Sequence, residues 1–201
     1  LIKSGYLSKF RIKVLLCKHA PEYFESYHDE MDYLVEHRGR NNLIKNLVKD
    51  LDGNTLVLFN YIEKHGEPLY ELINNTIDPE RKLFFVHGGT DVEDREAVRQ
   101  ITESENDAVI LASYGTFSTG INIKRLHNII FASPSKSRIR NLQSIGRVLR
   151  KGEGKDIATL YDIADDIGGQ NYTLKHLNER VTIYNEENFK YEVIKVNLRA
   201  N

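Results

Sequence analysis

The stretch Asp52-Gly53-Asn54-Thr55-Leu56-Val57-Leu58-Phe59-Asn60 decides the fold. Thr55 to Phe59 runs apolar without alternation, bounded by an Asp-Gly turn signal on one side and a polar Asn on the other. That is the pattern of a short strand buried on both faces. It recurs at Leu83 to Val86, Ala108 to Ala112, Asn128 to Ala132 and Ala158 to Ile163, with helical patterns at Pro68 to Ile73 and Val92 to Glu103 between the first of them. Continuous apolar strands separated by helices predict an α/β fold, a mostly parallel sheet flanked by helices on both faces.

Outward from this core the pattern changes. Residues 1–52 read as a helical lead-in: a short strand from Arg11 to Cys17, a helix from Glu22 to Glu36, a break at Gly39, and a helix from Asn41 to Leu51. Residues 53–168 form the domain proper. Beyond Gly168-Gly169, residues 169–201 form a short extension with a helix from Tyr172 to Asn185 and an alternating strand from Tyr191 to Leu198.

Composition narrows the function classes. With 201 residues, 40% hydrophobic and 28% charged, the chain can build a core and is not a disordered segment. No apolar run approaches the roughly 20 residues a membrane span needs, and no signal peptide is visible. Cys17 is the single cysteine, which excludes an intramolecular disulfide and a Cys-rich zinc site. A cytoplasmic, monomeric protein is expected. Asp29-Glu30-Met31-Asp32 could pass for metal-binding carboxylates, but it lies inside a helical pattern rather than at the end of an apolar strand.

The net charge of −1 conceals a basic segment in which Lys136, Arg138, Arg140, Arg147, Arg150, Lys151 and Lys155 face only Glu153. Arg140, Gln143, Arg147 and Arg150 recur at helical spacing on one face, with Ile139, Leu142, Ile145 and Leu149 on the other. Such a row is either a solvated face or a binding surface for anions. Gly146 favours the second, because glycine inside a helix costs about 1 kcal/mol and suggests close approach to the backbone.

Ligands of open α/β sheets sit beyond the carboxyl ends of strands. The loops there are Asn60-Tyr61 with Lys64-His65-Gly66, then His87-Gly88-Gly89-Thr90, then Ser113-Tyr114-Gly115-Thr116-Phe117-Ser118-Thr119-Gly120-Ile121-Asn122-Ile123. Glycines and hydroxyls can donate to phosphate, although each loop taken singly is as readily a turn.

In this order, closed by Gln143-x-x-Gly146-Arg147-x-x-Arg150, the motifs resemble the second RecA-like lobe of superfamily 2 helicases over residues 53–165, above all the recombination and repair helicases of bacteriophages. The resemblance implies a RecA-like fold and an ATP-dependent DNA helicase in which two lobes clamp ATP with Mg2+, both held mainly by an N-terminal RecA-like lobe. No Gly-x-x-x-x-Gly-Lys-Ser/Thr occurs and the first residue is Leu1. The chain is therefore expected to be the C-terminal part of a larger enzyme and inactive alone. The resemblance assigns Arg147 and Arg150 to the charge that develops on phosphate, Gln143 to coupling, and Thr119, Gly120 and Asn122 to the nucleotide. It assigns Ser113, Thr116, Phe59, Asn60, His87, Gly88 and Thr90 to the nucleic-acid strand. Many relatives carry Asp where Asn122 stands and Pro where Lys124 stands, so Asn122 does not bring the charge that those relatives have at this position. The implied partner is branched or forked DNA. A non-catalytic nucleic-acid-binding or regulatory module, or an RNA helicase lobe, is the alternative. A dinucleotide-dependent oxidoreductase is disfavoured, since no glycine fingerprint follows the first strand.

Overall fold

A computed structural model describes residues 10–118, 126–134 and 158–198. Its strands are β1 (Phe10–Lys18), β2 (Thr55–Phe59), β3 (Leu83–Val86), β4 (Val109–Ser113), β5 (Asn128–Phe131), β6 (Ala158–Asp166) and β7 (Lys190–Asn197). Its helices are α1 (Tyr27–Val35), α2 (Arg38–Asp50), α3 (Glu67–Asn74), α4 (Val92–Ser104), α5 (Tyr114–Ser118) and α6 (Tyr172–Glu186), with a π-helical turn over Ile62–Gly66 leading into α3.

The strands form one sheet in the order β3-β4-β2-β5-β6-β1-β7, and every described pairing is parallel. Thr55 at the head of β2 is in register with Val109 on one side and Asn128 on the other. The expected mostly parallel sheet is thus parallel throughout its described strands. Its RecA-like arrangement carries the carboxyl ends of all seven to one edge.

Two apolar layers explain why the strands do not alternate. Leu56, Leu58, Ile110, Ala112, Ile129, Phe131 and Leu160 point to one face, where Leu177 and Tyr184 of α6 pack. Val57, Phe59, Val109, Leu111, Ile130 and Ile163 point to the other, beneath Ile44 and Val48 of α2 and Leu69 and Ile73 of α3. Each buried aliphatic side chain contributes about 1.5–3 kcal/mol relative to exposure, so the two layers together hold the sheet in the middle of the fold.

Residues assigned from sequence to the lead-in contribute directly to this sheet. β1 lies between β6 and β7, with Val14 opposite Asp162 and Val193. The first predicted helix begins late, at Tyr27, because Ser26 caps it by accepting from the Asp29 amide at 3.1 Å. The break expected at Gly39 falls instead at Glu36-His37. Gly39 is inside α2, whose His37 cap accepts from the Arg40 amide through Nδ1. Gly53 has φ +93°, and a Cβ there would come within 2.7 Å of the His127 ring. The turn that launches β2 therefore requires glycine. Among the described residues, no helix is long and apolar enough to cross a membrane.

Candidate functional site

The carboxyl edge collects the loops after β2, β3, β4 and β5. At the end of β2, Phe59 is fully buried and its ring stacks on Phe85 with centroids 5.4 Å apart. Its ring belongs to the core, and Asn60 is the exposed residue that β2 delivers to the edge. The Lys64-His65-Gly66 segment is not an open anion loop, since the His65 and Gly66 amides both donate to the Tyr61 carbonyl. Gly66 lies against Phe59, where a Cβ would meet the ring at 2.6 Å.

At the end of β3 the predicted loop is a closed turn. The His87 amide donates to Thr90 Oγ1 at 3.1 Å, the Thr90 amide to the His87 carbonyl at 2.9 Å, and the Gly89 amide to His87 Nδ1 at 3.0 Å. Gly88 and Gly89 remain exposed, and nothing within 4 Å would obstruct a side chain at Gly88. At the end of β4, Ser113 caps α5: its Oγ accepts from the Thr116 amide at 3.2 Å and shares a hydrogen bond with Thr116 Oγ1 at 2.7 Å. Both hydroxyl residues are buried, and Gly115 is the exposed residue of this turn. The edge thus brings Asn60, His87, Gly88, Thr90 and the Ser113–Thr116 turn onto one rim. The remaining predicted residues, Thr119, Gly120, Asn122, Gln143, Arg147 and Arg150, lie outside the described residues.

Below the rim is a polar layer absent from the sequence reading. Arg40 of α2, fully buried, donates from Nε to both Asp165 oxygens at 2.9 and 3.1 Å, and from its terminal nitrogens to the Ala132 and Ile163 carbonyls. His19, after β1, meets Asp165 Oδ1 through Nε2 at 2.8 Å. Burial opposes the charge on Asp165, but the Arg40 cation and the hydrogen bonds from His19 and Arg40 override it and hold the carboxyl below the ordinary range. Burial, with Asp165 second, pushes the Cys17 thiol far up, so it stays protonated and serves the core.

A second chain of hydrogen bonds runs through His65. Asn41 Nδ2 donates to the Val35 carbonyl at 3.0 Å, leaving Asn41 Oδ1 to accept from His65 Nε2 at 2.9 Å. His65 Nδ1 must then accept, and its partner is the Ser133 hydroxyl. Ser133 Oγ in turn accepts from the Asn60 amide at 2.9 Å. Burial, followed by the Arg40 charge, lowers the His65 pKa to about 3, which keeps the ring neutral in this role.

Two further buried carboxylates brace the fold around the edge. Asp162 of β6 receives Nε and Nη2 of Arg180 at 2.7 and 3.0 Å and the Tyr184 hydroxyl at 2.7 Å. Glu30, from the acidic tetrad, accepts from the Thr173 and Tyr172 amides at 2.7 and 2.9 Å and thereby caps α6. The tetrad is structural at that position. A sequence signal for Arg40 did exist, because it shares a four-residue spacing with the buried Ile44 and Val48 on one face of α2. Among the described residues, no group of three or more His, Cys, Asp or Glu side chains could hold a metal ion.

Comparison with known proteins bears on this edge. The family model for the helicase conserved C-terminal domain matches residues 39–152. The ATP-dependent DNA helicase uvsW of Enterobacteria phage T4 is 34% identical over 98% of this chain and 43% of its own length. The crystal structure of T4 UvsW superposes with a TM-score of 0.80, covering 94% of this chain and 42% of that one. The C-terminal domain of the DEAD-box protein Dbp5 shares the fold at 13% identity, with a TM-score of 0.63 over 92% of this chain and 90% of that domain. The chain spans less than half the length of the curated relatives it matches.

Proposed function

We infer that this chain, which belongs to the helicase conserved C-terminal domain family, is the second motor lobe of an ATP-dependent DNA helicase or translocase working in recombination, repair or stalled-fork processing. The observation that carries the reading is the family match over residues 39–152, which encloses both the rim of strand-end loops and the arginine-rich segment. Likeness to a DNA helicase over nearly the whole chain supports DNA as the nucleic acid.

In this reading ATP, with Mg2+, is held mainly by a first RecA-like lobe of the same protein. Closure brings Arg147 and Arg150 to the phosphates, where negative charge grows on the oxygens during transfer. An arginine supplied across a domain boundary contributes about 10³ to 10⁵ in rate. The planar guanidinium can grip phosphate in two-pronged fashion, so lysine is not an equivalent substitute. Gln143 links nucleotide to interface, and Thr119, Gly120 and Asn122 meet the nucleotide. Asn60, His87, Gly88, Thr90 and the Ser113–Thr116 turn contact the DNA backbone, a readout that positions without reading sequence. Phe59 supports this rim from within the core. For the two buried hydroxyls the contact is made by the turn they hold, with Gly115 outermost.

The test joins the chain to an ATP-binding RecA-like lobe and substitutes Arg150→Ala. ATP turnover should fall by at least about 10³ while DNA binding is retained. Retained turnover with lost binding instead identifies a nucleic-acid-binding module. Stimulation by single-stranded, forked and four-way DNA and by RNA separates the DNA reading from an RNA helicase lobe. The chain alone should bind nucleic acid weakly and turn over no ATP.

A further inference from the structure

We propose that Ser133 is a positioning residue that couples nucleic-acid contact to ATP turnover, a role that rests on the helicase-lobe reading above. Ser133 follows β5, is fully buried, and stands shortly before the arginine-rich segment in the chain. Four hydrogen bonds converge on this one residue. Its Oγ accepts from the Asn60 amide, at the rim position delivered by β2, and its hydroxyl proton goes to His65 Nδ1. Its carbonyl accepts at 2.9 Å from the hydroxyl of Tyr114, the first residue of α5, whose turn carries Ser113 and Thr116. Its amide donates to the Leu58 carbonyl of β2 at 3.3 Å.

The direction of the relay is forced rather than chosen. Asn41 occupies His65 Nε2 as acceptor, so Nδ1 has no proton to give, and the serine hydroxyl must donate there. The same oxygen is then free to accept from Asn60. A ring that gained a proton could not accept from Ser133, and the lowered pKa of His65 keeps that state unpopulated at working pH. Two rim loops, after β2 and after β4, are thereby tied to the backbone of the β5 exit. Strain applied to either loop by a bound strand reaches the same residue.

A merely structural serine would also fill this space, so the distinguishing readout is a split between kinetic parameters. In the two-lobe protein, Ser133→Ala should lower the ratio of DNA-stimulated to unstimulated ATP turnover about tenfold, the equivalent of one lost buried hydrogen-bond node. KM for ATP should stay in place. Tyr114→Phe keeps the ring against Phe131 and removes only the hydroxyl. It should lower the same ratio about threefold, and the double variant should fall short of the product of the two singles. If Ser133→Ala does not fold, Tyr114→Phe carries the test. Full stimulation in the folded variants, or equal losses in stimulated and unstimulated turnover, overturns the coupling while leaving the lobe's role intact. Absence of stimulation in the parent protein instead removes the helicase reading, and the coupling with it.

Discussion

Mild acid should destabilise this protein through His65. The ring is fully buried, gives its one proton to Asn41 and accepts from Ser133, and its pKa falls from 6.5 to about 3. Above pH 6.5 the imidazole is neutral in both folded and unfolded chains and contributes no pH dependence. Between 6.5 and 3 the unfolded chain binds a proton that the folded chain refuses, so stability falls as pH drops through that window. At pH 5 the difference is about 1.5 pKa units, or about 2 kcal/mol. With a urea slope of about 2–3 kcal/mol per molar, the midpoint moves by about 0.7–1 M. The assay is urea unfolding of the wild type and His65→Gln at pH 7.5 and pH 5. Glutamine does not titrate, so the wild type should lose about 2 kcal/mol more than the variant between the two conditions. His37, whose pKa is also lowered, by burial first and the neighbouring His19 second, adds a loss of the same sign to both proteins and cancels in the comparison. Asp165 does not interfere, because its depressed pKa removes stability only as pH falls through the ordinary carboxylate value toward its own. Parallel losses in the two proteins would refute the assignment of His65 as a buried neutral acceptor.

Two other carboxylates give sharp expectations at neutral pH. Glu30→Ala strips the α6 amides of Tyr172 and Thr173 of their acceptor and should cost about 2–3 kcal/mol in urea unfolding, against a loss under about 0.5 if water can replace the cap. Arg180→Met leaves the Asp162 charge buried without its two-pronged partner and should cost about 3–5 kcal/mol. A measured loss below about 1 kcal/mol would show that the pair is a bystander.

Much of the local structure was legible because it is written in short-range periodicity. The unbroken apolar runs at Thr55–Phe59 and Val109–Ala112 announced strands covered on both faces, and the helices between them announced a parallel sheet. The order of motifs pointed to the family that the comparisons then showed. The turn after β3 was legible as a loop, whereas the stretch read as a loop after β4 opens with the short helix α5, and the contents of the rim were not legible. Ser113 and Thr116 turned toward one another, and Phe59 turned into the core, because hydroxyls and aromatics near a strand end can satisfy themselves inside the protein as well as on a ligand. The Glu30 cap and the His65 relay had no comparable signal, since a buried acid or imidazole reads in sequence like a solvated one.

The sequence by itself determined the central strands, the longer helices and which faces must be covered, since those follow from the period of apolar residues, but it did not show the short helix Tyr114–Ser118. Only the tertiary structure decided that β1 enters the sheet between β6 and β7, that Arg40 meets Asp165 at a separation of 125 residues, and that Ser133 gathers the loops after β2 and β4. Parallel pairing and buried charge satisfaction join residues far apart in the chain. Their partners are chosen by packing and by the cost of an unpaired polar group away from water, neither of which leaves a local pattern.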